Sequence, residues 1–160
     1  MIDKVKEMLT RHEGRKYKPY RCPAGHLTIG VGHNIDAKGL PASIRAYLTA
    51  NGRITDVMID SLLTSDIAEA HADCIRLYPQ FSTFSANRQA ALIDFMFNVG
   101  PGRAATFKNM TRAINTFDWQ QAAEELRNSL YWKELGGDPT GTDDGKLERP
   151  EEQYKLIREG

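Results

Sequence analysis

Apolar side chains recur every three or four residues over much of the chain, which predicts a largely helical protein. The first predicted helix covers residues 2–13 and ends where Gly14 can adopt a left-handed conformation. A long helix is predicted to begin at Thr55 and to continue until Pro79 interrupts it. Other helical patterns cover residues 41–50, 85–99, 103–117 and 119–135, and the segment from Pro150 onward.

Only the segment from Tyr17 to Ile35 has the β-branched and aromatic residues, broken by glycine and proline, that are typical of strands. We expect a small twisted sheet there, with a turn at Pro23-Ala24-Gly25. Strands in one segment and helices elsewhere indicate an α+β fold. The prediction is one domain, residues 1–160, with these parts: a sheet lobe over 13–55, a connecting helix over 56–78, and a helical lobe from 1–12 and 79–160.

Composition excludes several classes of protein. The 160 residues carry 21 basic and 21 acidic side chains, so the balance gives no reason to expect a nucleic-acid or anionic-membrane partner. The longest apolar run is Ala90–Ile93, so we expect no signal peptide and no membrane span. The two cysteines, Cys22 and Cys74, lie far apart, which favours free thiols and a reducing site of synthesis.

Three reactive side chains, Glu13, Cys22 and Thr28, occur within sixteen residues. Glu13 ends a predicted helix, where the negative end of the helix dipole favours the protonated form of a carboxylic acid. Thr28 is also what strand propensity alone would select. Cys22, His26 and His33 could be metal ligands, but their spacing fits no common zinc pattern, so we predict no metal site.

The segment that contains these residues resembles the active-site segment of the phage-type lysozymes, the endolysins of T-even and lambdoid bacteriophages. Glu13-Gly14, then Cys22 nine positions after the glutamate, then Thr28 and the Thr-Ile-Gly-x-Gly-His motif ending at His33 match that family at its spacing. The resemblance extends to residues 87–93, 97–100, Phe107 and 119–123.

The resemblance implies a lysozyme-like fold and hydrolysis, without a cofactor, of the β-1,4 bond between N-acetylmuramic acid and N-acetylglucosamine. It also implies that Glu13 is the general acid for the leaving oxygen. Cys22 stands where aspartate is commoner, and two chemistries remain open. Its thiolate acts as a base that positions water, with inversion and help from Thr28, or as a nucleophile, with retention. The usual outcome in the family favours inversion.

The resemblance also assigns roles to residues outside this trio. His33 and Asp66 are expected to form a stabilising pair, without a part in catalysis. Phe97 and Asn98 match residues that line the substrate cleft, although Phe97 could equally be a core residue and Asn98 a helix cap. Arg149 lies near a late arginine that contacts the catalytic glutamate in the family, so it is expected to do so here.

The expected partner is bacterial peptidoglycan, acted on by a monomer for host cell lysis. The enzyme would accumulate in the host cytoplasm and reach the wall after the membrane is permeabilised. A net charge of zero departs from the basic character of many family members, so charges in the cleft would have to hold the substrate. The alternatives are a wall-binding module without catalysis and a thiol peptidase using Cys22 with His26 or His33.

Overall fold

The computed structural model describes residues 1–138 and 148–160. In that part of the chain, the strands are β1 (Lys16–Arg21), β2 (Leu27–Gly30) and β3 (His33–Asn34). The helices are α1 (Ile2–Glu13), α2 (Ile35–Lys38), α3 (Ala42–Asn51), α4 (Asp56–Leu77), α5 (Ala86–Ala104), α6 (Lys108–Asn115), α7 (Trp119–Arg127), α8 (Leu130–Glu134) and α9 (Arg149–Glu159). A majority of helices together with one small antiparallel sheet confirms the predicted α+β class.

The chain packs as two compact units. The sheet unit comprises Lys6–Ala68, and the helical unit comprises Met1–Val5 together with Glu69–Gly160. Both boundaries fall inside helices, in α1 and in α4. All the residues of the active-site motif, from Glu13 to His33, therefore belong to the sheet unit.

The sheet unit contains an antiparallel sheet in the order β1-β2-β3. A tight turn joins β1 to β2 at the predicted place. The backbone N–H of Gly25 donates to the carbonyl oxygen of Cys22 at 2.8 Å, and the N–H of Cys22 donates to His26 at 3.0 Å. Gly25 has φ +86°, the left-handed conformation that a three-residue hairpin loop requires. This turn places Cys22 at the end of the hairpin.

The sheet ends one residue earlier than the sequence predicts. Ile35 was expected to belong to it, but β3 stops at Asn34 and Ile35 begins the short helix α2. The side chain of Asn34 accepts a hydrogen bond from the backbone N–H of Ala37 at 2.9 Å. This N-cap stabilises a helical turn and ends the strand.

In the helical unit, two predicted helices have different bounds. The pattern over 119–135 gives two helices, α7 and α8, because the Ser129 hydroxyl accepts from the N–H of Trp132 at 3.2 Å and starts a new helix. The pattern over 103–117 gives a helix only from Lys108, after a turn in which the hydroxyl of Thr106 donates to the carbonyl oxygen of Arg103 at 2.6 Å. Helix α5 leaves helical geometry at Gly100, where φ is +75°, so its first segment ends as predicted.

Aromatic side chains fill much of the helical unit. Phe95 packs edge-to-face against Phe107 and Tyr131, with ring centroids 5.1 and 5.3 Å apart. Phe84 packs in the same way against Trp119 at 4.8 Å. Such pairs add to the free energy gained by burying the rings. Among the buried residues around α5 is a charged one, Asp94, with no exposed surface.

Candidate active site

Glu13 is the last residue of α1, and the position is fixed by the glycine that follows. The backbone N–H of Gly14 donates to the carbonyl oxygen of Thr10 at 3.0 Å, and Gly14 has φ +75°. A left-handed residue after the last turn stops a helix, and glycine adopts it without steric strain. The side chain of Glu13 is half-buried in the sheet unit.

Gly32 leaves the space that the Glu13 carboxyl group occupies. A Cβ atom built on Gly32 would lie 2.9 Å from Cδ and Cγ of Glu13 and 3.0 Å from Oε2. Gly32 also has φ +66°, which disfavours any side chain. The second glycine of the Thr-Ile-Gly-x-Gly-His motif is therefore required by a close approach between the β2–β3 turn and the catalytic candidate.

Cys22 and Thr28 lie together on the β1–β2 hairpin. Cys22 is a half-buried free thiol, and Thr28 is buried, with 4% of its surface exposed. The hydroxyl of Thr28 is 2.9 Å from the carbonyl oxygen of His26 and also interacts with the Cys22 sulfur. A hydroxyl has one proton to donate, so Thr28 donates to the carbonyl oxygen or to the thiolate, but not to both.

The thiol of Cys22 ionises more easily than an ordinary cysteine. Burial raises the pKa of Cys22, but hydrogen bonds from the backbone of His26, Ala24 and Gly25 and from the Thr28 hydroxyl outweigh burial, and the pKa is lowered. These hydrogen bonds stabilise the thiolate, because several donors interact with one negatively charged sulfur atom. The neighbouring cation, Arg21, donates to the Gly25 carbonyl oxygen at 2.9 Å and lies 3.7 Å from Asp36.

Tyr20 connects Glu13 to Cys22. It pairs with Thr28 across the β1–β2 ladder. Burial is the main reason that the pKa of Tyr20 is raised, and the negative charges of Glu13 and of Cys22 raise it further. Tyr20, which sequence reasoning did not select, therefore pairs with Thr28 and is influenced by the charges of Glu13 and Cys22. The signal that could have identified Tyr20 is its pairing with Thr28, a catalytic candidate, across the strand ladder.

His33 and Asp66 form the ion pair that the resemblance implies. Nδ1 of His33 lies 2.8 Å from the Asp66 carboxylate, and Nε2 lies 2.8 Å from the carbonyl oxygen of Gly39. Lys38, which the sequence did not suggest, also donates to Asp66, at 3.1 Å. Burial lowers the pKa of His33, but the hydrogen bonds to Asp66 and Gly39 and the charge of Asp66 raise it above its ordinary value.

The other candidate residues, Phe97, Asn98 and Arg149, belong to the helical unit. Phe97 is half-buried and Asn98 is exposed, both on α5. Arg149 is the first residue of α9, and its Nε and Nη2 atoms donate to the two carboxylate oxygens of Asp94, each at 3.1 Å. This fork holds the guanidinium group in one orientation.

A buried polar network supports Arg149. Asp94 also accepts from the side-chain amide of Gln153 at 2.6 Å, and Gln153 in turn accepts from the hydroxyl of Tyr131 at 3.1 Å. Sequence reasoning missed Asp94 and Gln153. The signal was available: Asp94 is the only charged residue in the otherwise apolar stretch from Ala90 to Phe97, where a carboxylate must be paired to be stable.

No group of three or more histidine, cysteine or acidic side chains that could hold a metal ion occurs within residues 1–138 and 148–160. Cys22, His26 and His33 are not brought together as ligands there. His33 uses both ring nitrogens on Asp66 and Gly39.

Comparison with known proteins identifies the family. The sequence model of the phage lysozyme family matches residues 10–147. "Probable T4-type lysozyme 1" of Dictyostelium discoideum is 30% identical over 147 residues, which cover 82% of this chain and 86% of that protein. An endolysin of Acyrthosiphon pisum secondary endosymbiont phage 1 is 28% identical over 120 residues, covering 74% of this chain and 72% of that protein.

A longer relative shares the same region. The pre-baseplate central spike protein Gp5 of Enterobacteria phage T4 is 31% identical over 145 residues, which cover 82% of this chain but only 25% of that protein. The chain therefore belongs to the phage lysozyme family. As a lysozyme it is a glycoside hydrolase that acts on bacterial peptidoglycan.

Proposed function

We propose that the protein is an endolysin that cleaves the β-1,4 bond between N-acetylmuramic acid and N-acetylglucosamine, with Glu13 as general acid and Cys22 as the second catalytic group. The observation that carries this proposal is the arrangement of Glu13, Cys22 and Thr28 within the sheet unit. It combines a carboxyl group at a helix end with a thiol whose pKa is lowered by hydrogen bonds. Glycoside hydrolysis needs such a pair, one group that gives a proton and one that is anionic.

In the inverting reaction, Glu13 donates its proton to the glycosidic oxygen as the bond to the anomeric carbon breaks. The Cys22 thiolate takes a proton from a water molecule, whose oxygen forms the new bond to the anomeric carbon. Glu13 is left as a carboxylate and Cys22 as a thiol, and exchange with solvent restores both groups. Thr28 lies beside the Cys22 sulfur and would help to hold the water.

The retaining alternative uses the same residues differently. The thiolate of Cys22 would attack the anomeric carbon, and the glycosyl group would be bound to sulfur until water displaces it. We favour inversion, because a water held by Thr28 and Cys22 needs no covalent intermediate. The anomeric configuration of the first product, followed by NMR, separates the two routes.

The candidate residues of the helical unit would bind the substrate. The amide of the exposed Asn98 can bond to sugar N-acetyl groups, and the half-buried ring of Phe97 can pack against a sugar. Asp94 holds the guanidinium group of Arg149 in one orientation, and the role of Arg149 as the partner of Glu13 stays a prediction. His33 and Asp66 would have no chemical role and would stabilise the sheet unit.

The names of relatives support the proposed place of action. Proteins named endolysin and SAR-endolysin are among them, which supports a role in lysis of the bacterial host from within. Among the described residues, no helix combines the length and the apolar character that crossing a bilayer would need. We propose a monomer that accumulates in the host cytoplasm and reaches the wall once the membrane is permeabilised.

A thiol peptidase would need an imidazole to take the proton of Cys22. Both ring nitrogens of His33 lie 2.8 Å from other acceptors, Asp66 and Gly39, so His26 is the remaining candidate for this role. Product chemistry tests the proposal: purified sacculi treated with the protein should gain reducing ends. New amino groups instead of reducing ends would indicate a peptidase, and binding without either product would indicate a wall-binding module.

A further inference from the structure

A basic groove lies on the sheet unit beside strand β1. Its volume is about 540 Å³, and cationic and aromatic side chains line it, chiefly Lys16, Lys18 and Arg53 with Tyr17 and Tyr20. We call it the β1 groove. Among residues 1–138 and 148–160, none of those that line the groove is acidic. A chain without net charge therefore concentrates positive charge at one surface.

The walls of the β1 groove are fixed by the backbone. The N–H of Ile54 donates to the carbonyl oxygen of Tyr17 at 3.0 Å, which ties the segment before α4 to β1. The guanidinium carbon of Arg53 lies 5.0 Å from the centroid of the Tyr17 ring. The hydroxyl of Tyr17 donates to Asp56 at 2.6 Å. The groove is thus a formed cleft with a restrained aromatic wall.

Lys16 and Lys18 supply positive charge that is not paired as that of Arg15 is. Arg15, at one end of the groove, is neutralised by Asp56 and Asp60 at 2.8 and 3.0 Å. Lys16 and Lys18 are both exposed, and neither has an acidic partner among the described residues. They alternate with Tyr17 along β1. Two such lysines are available for anions of a ligand.

The β1 groove approaches the candidate active site at Tyr20, which pairs with Thr28 across the strand ladder. Tyr20 lines the groove and is also the residue near Glu13 and Cys22. A polymer bound in the groove would therefore lead toward the catalytic residues. This shared residue favours the substrate strand itself as the ligand over a separate wall polymer.

We propose that the β1 groove binds carboxylates on the stem peptides of the peptidoglycan strand that is being cleaved, through Lys16 and Lys18. The inference rests on the proposed function, since it extends the same substrate beyond the scissile bond. The tyrosine rings offer an apolar face and a hydroxyl to the neighbouring sugar or peptide. The lysines supply the local attraction that the neutral chain lacks as a whole.

The test uses a chain that binds without turnover. In a Glu13→Gln background, binding to purified sacculi is measured by co-sedimentation for Lys16→Glu/Lys18→Glu. The control is Lys108→Glu/Lys155→Glu, which makes the same change in net charge at exposed lysines of the helical unit. The same proteins are tested on sacculi whose carboxylates have been amidated. A neutral variant, Lys16→Gln/Lys18→Gln, checks that reversal of charge does not act by unfolding.

We expect Lys16→Glu/Lys18→Glu to bind native sacculi about tenfold more weakly, the neutral variant to show a smaller loss, and the control to bind unchanged. On amidated sacculi the difference between groove variant and control should disappear. Equal loss in the control, a loss that persists on amidated sacculi, or no loss would each overturn the proposal. A parallel assay of reducing ends with the unsubstituted chain tests the proposed function separately, because that assay does not depend on the groove variants.

Discussion

The imidazole of His33 and the carboxylate of Asp66 form a buried pair whose contacts favour the doubly protonated, charged imidazole. Asp66 accepts from Nδ1, and the carbonyl oxygen of Gly39, which has no proton to give, accepts from Nε2. Both side chains are nearly inaccessible, with exposed fractions of 6% and 4%. The charged histidine is therefore the form that the fold selects.

This pair makes the stability of the protein depend on pH. Because the pKa of His33 is raised in the folded state, its contribution is complete below the pKa of an unfolded histidine, about 6.5, and is lost as pH rises through the folded-state pKa. We expect the difference in free energy of unfolding between wild type and His33→Asn to reach about 3 kcal/mol at about pH 5.5 and to shrink by about pH 8.5. Urea unfolding at both pH values measures it. A difference that grows with pH would contradict the assignment.

Gly32 should matter to activity more than to stability. Gly32→Ala places a methyl group where the Glu13 carboxyl group lies, and the flexible glutamate side chain must move. We expect a loss of activity of about 100-fold, because a displaced catalytic group is that costly. The matched control is Gly52→Ala, which has φ +72° and no atom within 4 Å of the added carbon.

Both alanine variants should lose about 1 kcal/mol of stability from the left-handed backbone, as measured by thermal unfolding. Only Gly32→Ala should lose activity on sacculi. Similar activity in the two variants would show that the position of Glu13 is not set by Gly32.

Arg149 stabilises the protein by pairing with a buried charge. Arg149→Ala would leave Asp94, which has no exposed surface, without its charged partner, so we expect a loss of about 3 kcal/mol. The double variant Asp94→Asn/Arg149→Ala should lose less stability than Arg149→Ala, because no unpaired charge remains buried. The exposed Arg158 on the same helix is the control, and Arg158→Ala should change stability by about 0.5 kcal/mol or less. Chemical denaturation distinguishes these values, and equal effects at the two arginines would contradict the role of Asp94.

Cys22 should control the pH dependence of activity. If the thiolate is the working form, activity is lost as pH falls through the Cys22 pKa, which hydrogen bonding holds below its ordinary value. Cys22→Asp should keep activity and extend it to lower pH, since a carboxyl group has a pKa of about 3.9. Cys22→Ala should be about 100-fold less active than wild type. The measurement is the rate at which wild type, Cys22→Asp and Cys22→Ala release reducing ends at a series of pH values.

Alkylation gives an independent test of the same thiol. Cys74 is completely buried, and burial raises its pKa, so an alkylating reagent should modify Cys22 alone. Mass spectrometry identifies the modified residue, and activity should fall in step with modification of Cys22. Full activity after complete alkylation, or full activity in Cys22→Ala, would show that Cys22 has no chemical part.

The sequence predicts the local features of this protein well, because periodicity and capping residues act within a few positions. Helix α1 ends where Gly14 requires it, and the hairpin turn lies at Pro23-Ala24-Gly25. The prediction from periodicity is wrong at Ser129. The apolar pattern continues through this residue, but its side chain bonds to the backbone locally and starts a new helix.

Contacts between residues distant in the chain were harder to predict. The proximity of Lys38 to Asp66, or of Gln153 to Asp94, depends on tertiary packing that no periodicity encodes. The donors that lower the Cys22 pKa are mostly backbone groups of the turn, so their effect depends on turn geometry. The active-site motif was recognised from residue types and spacing, but its chemistry depends on these contacts.

The most direct test concerns Glu13. Purified sacculi are incubated with wild type, with Glu13→Gln and with Glu7→Gln, an exposed glutamate on the same helix, and new reducing ends are counted. Wild type and Glu7→Gln should release them at similar rates, and Glu13→Gln at a rate lower by at least about 100-fold. Release by Glu13→Gln at the wild-type rate would contradict the assignment of Glu13 as the general acid.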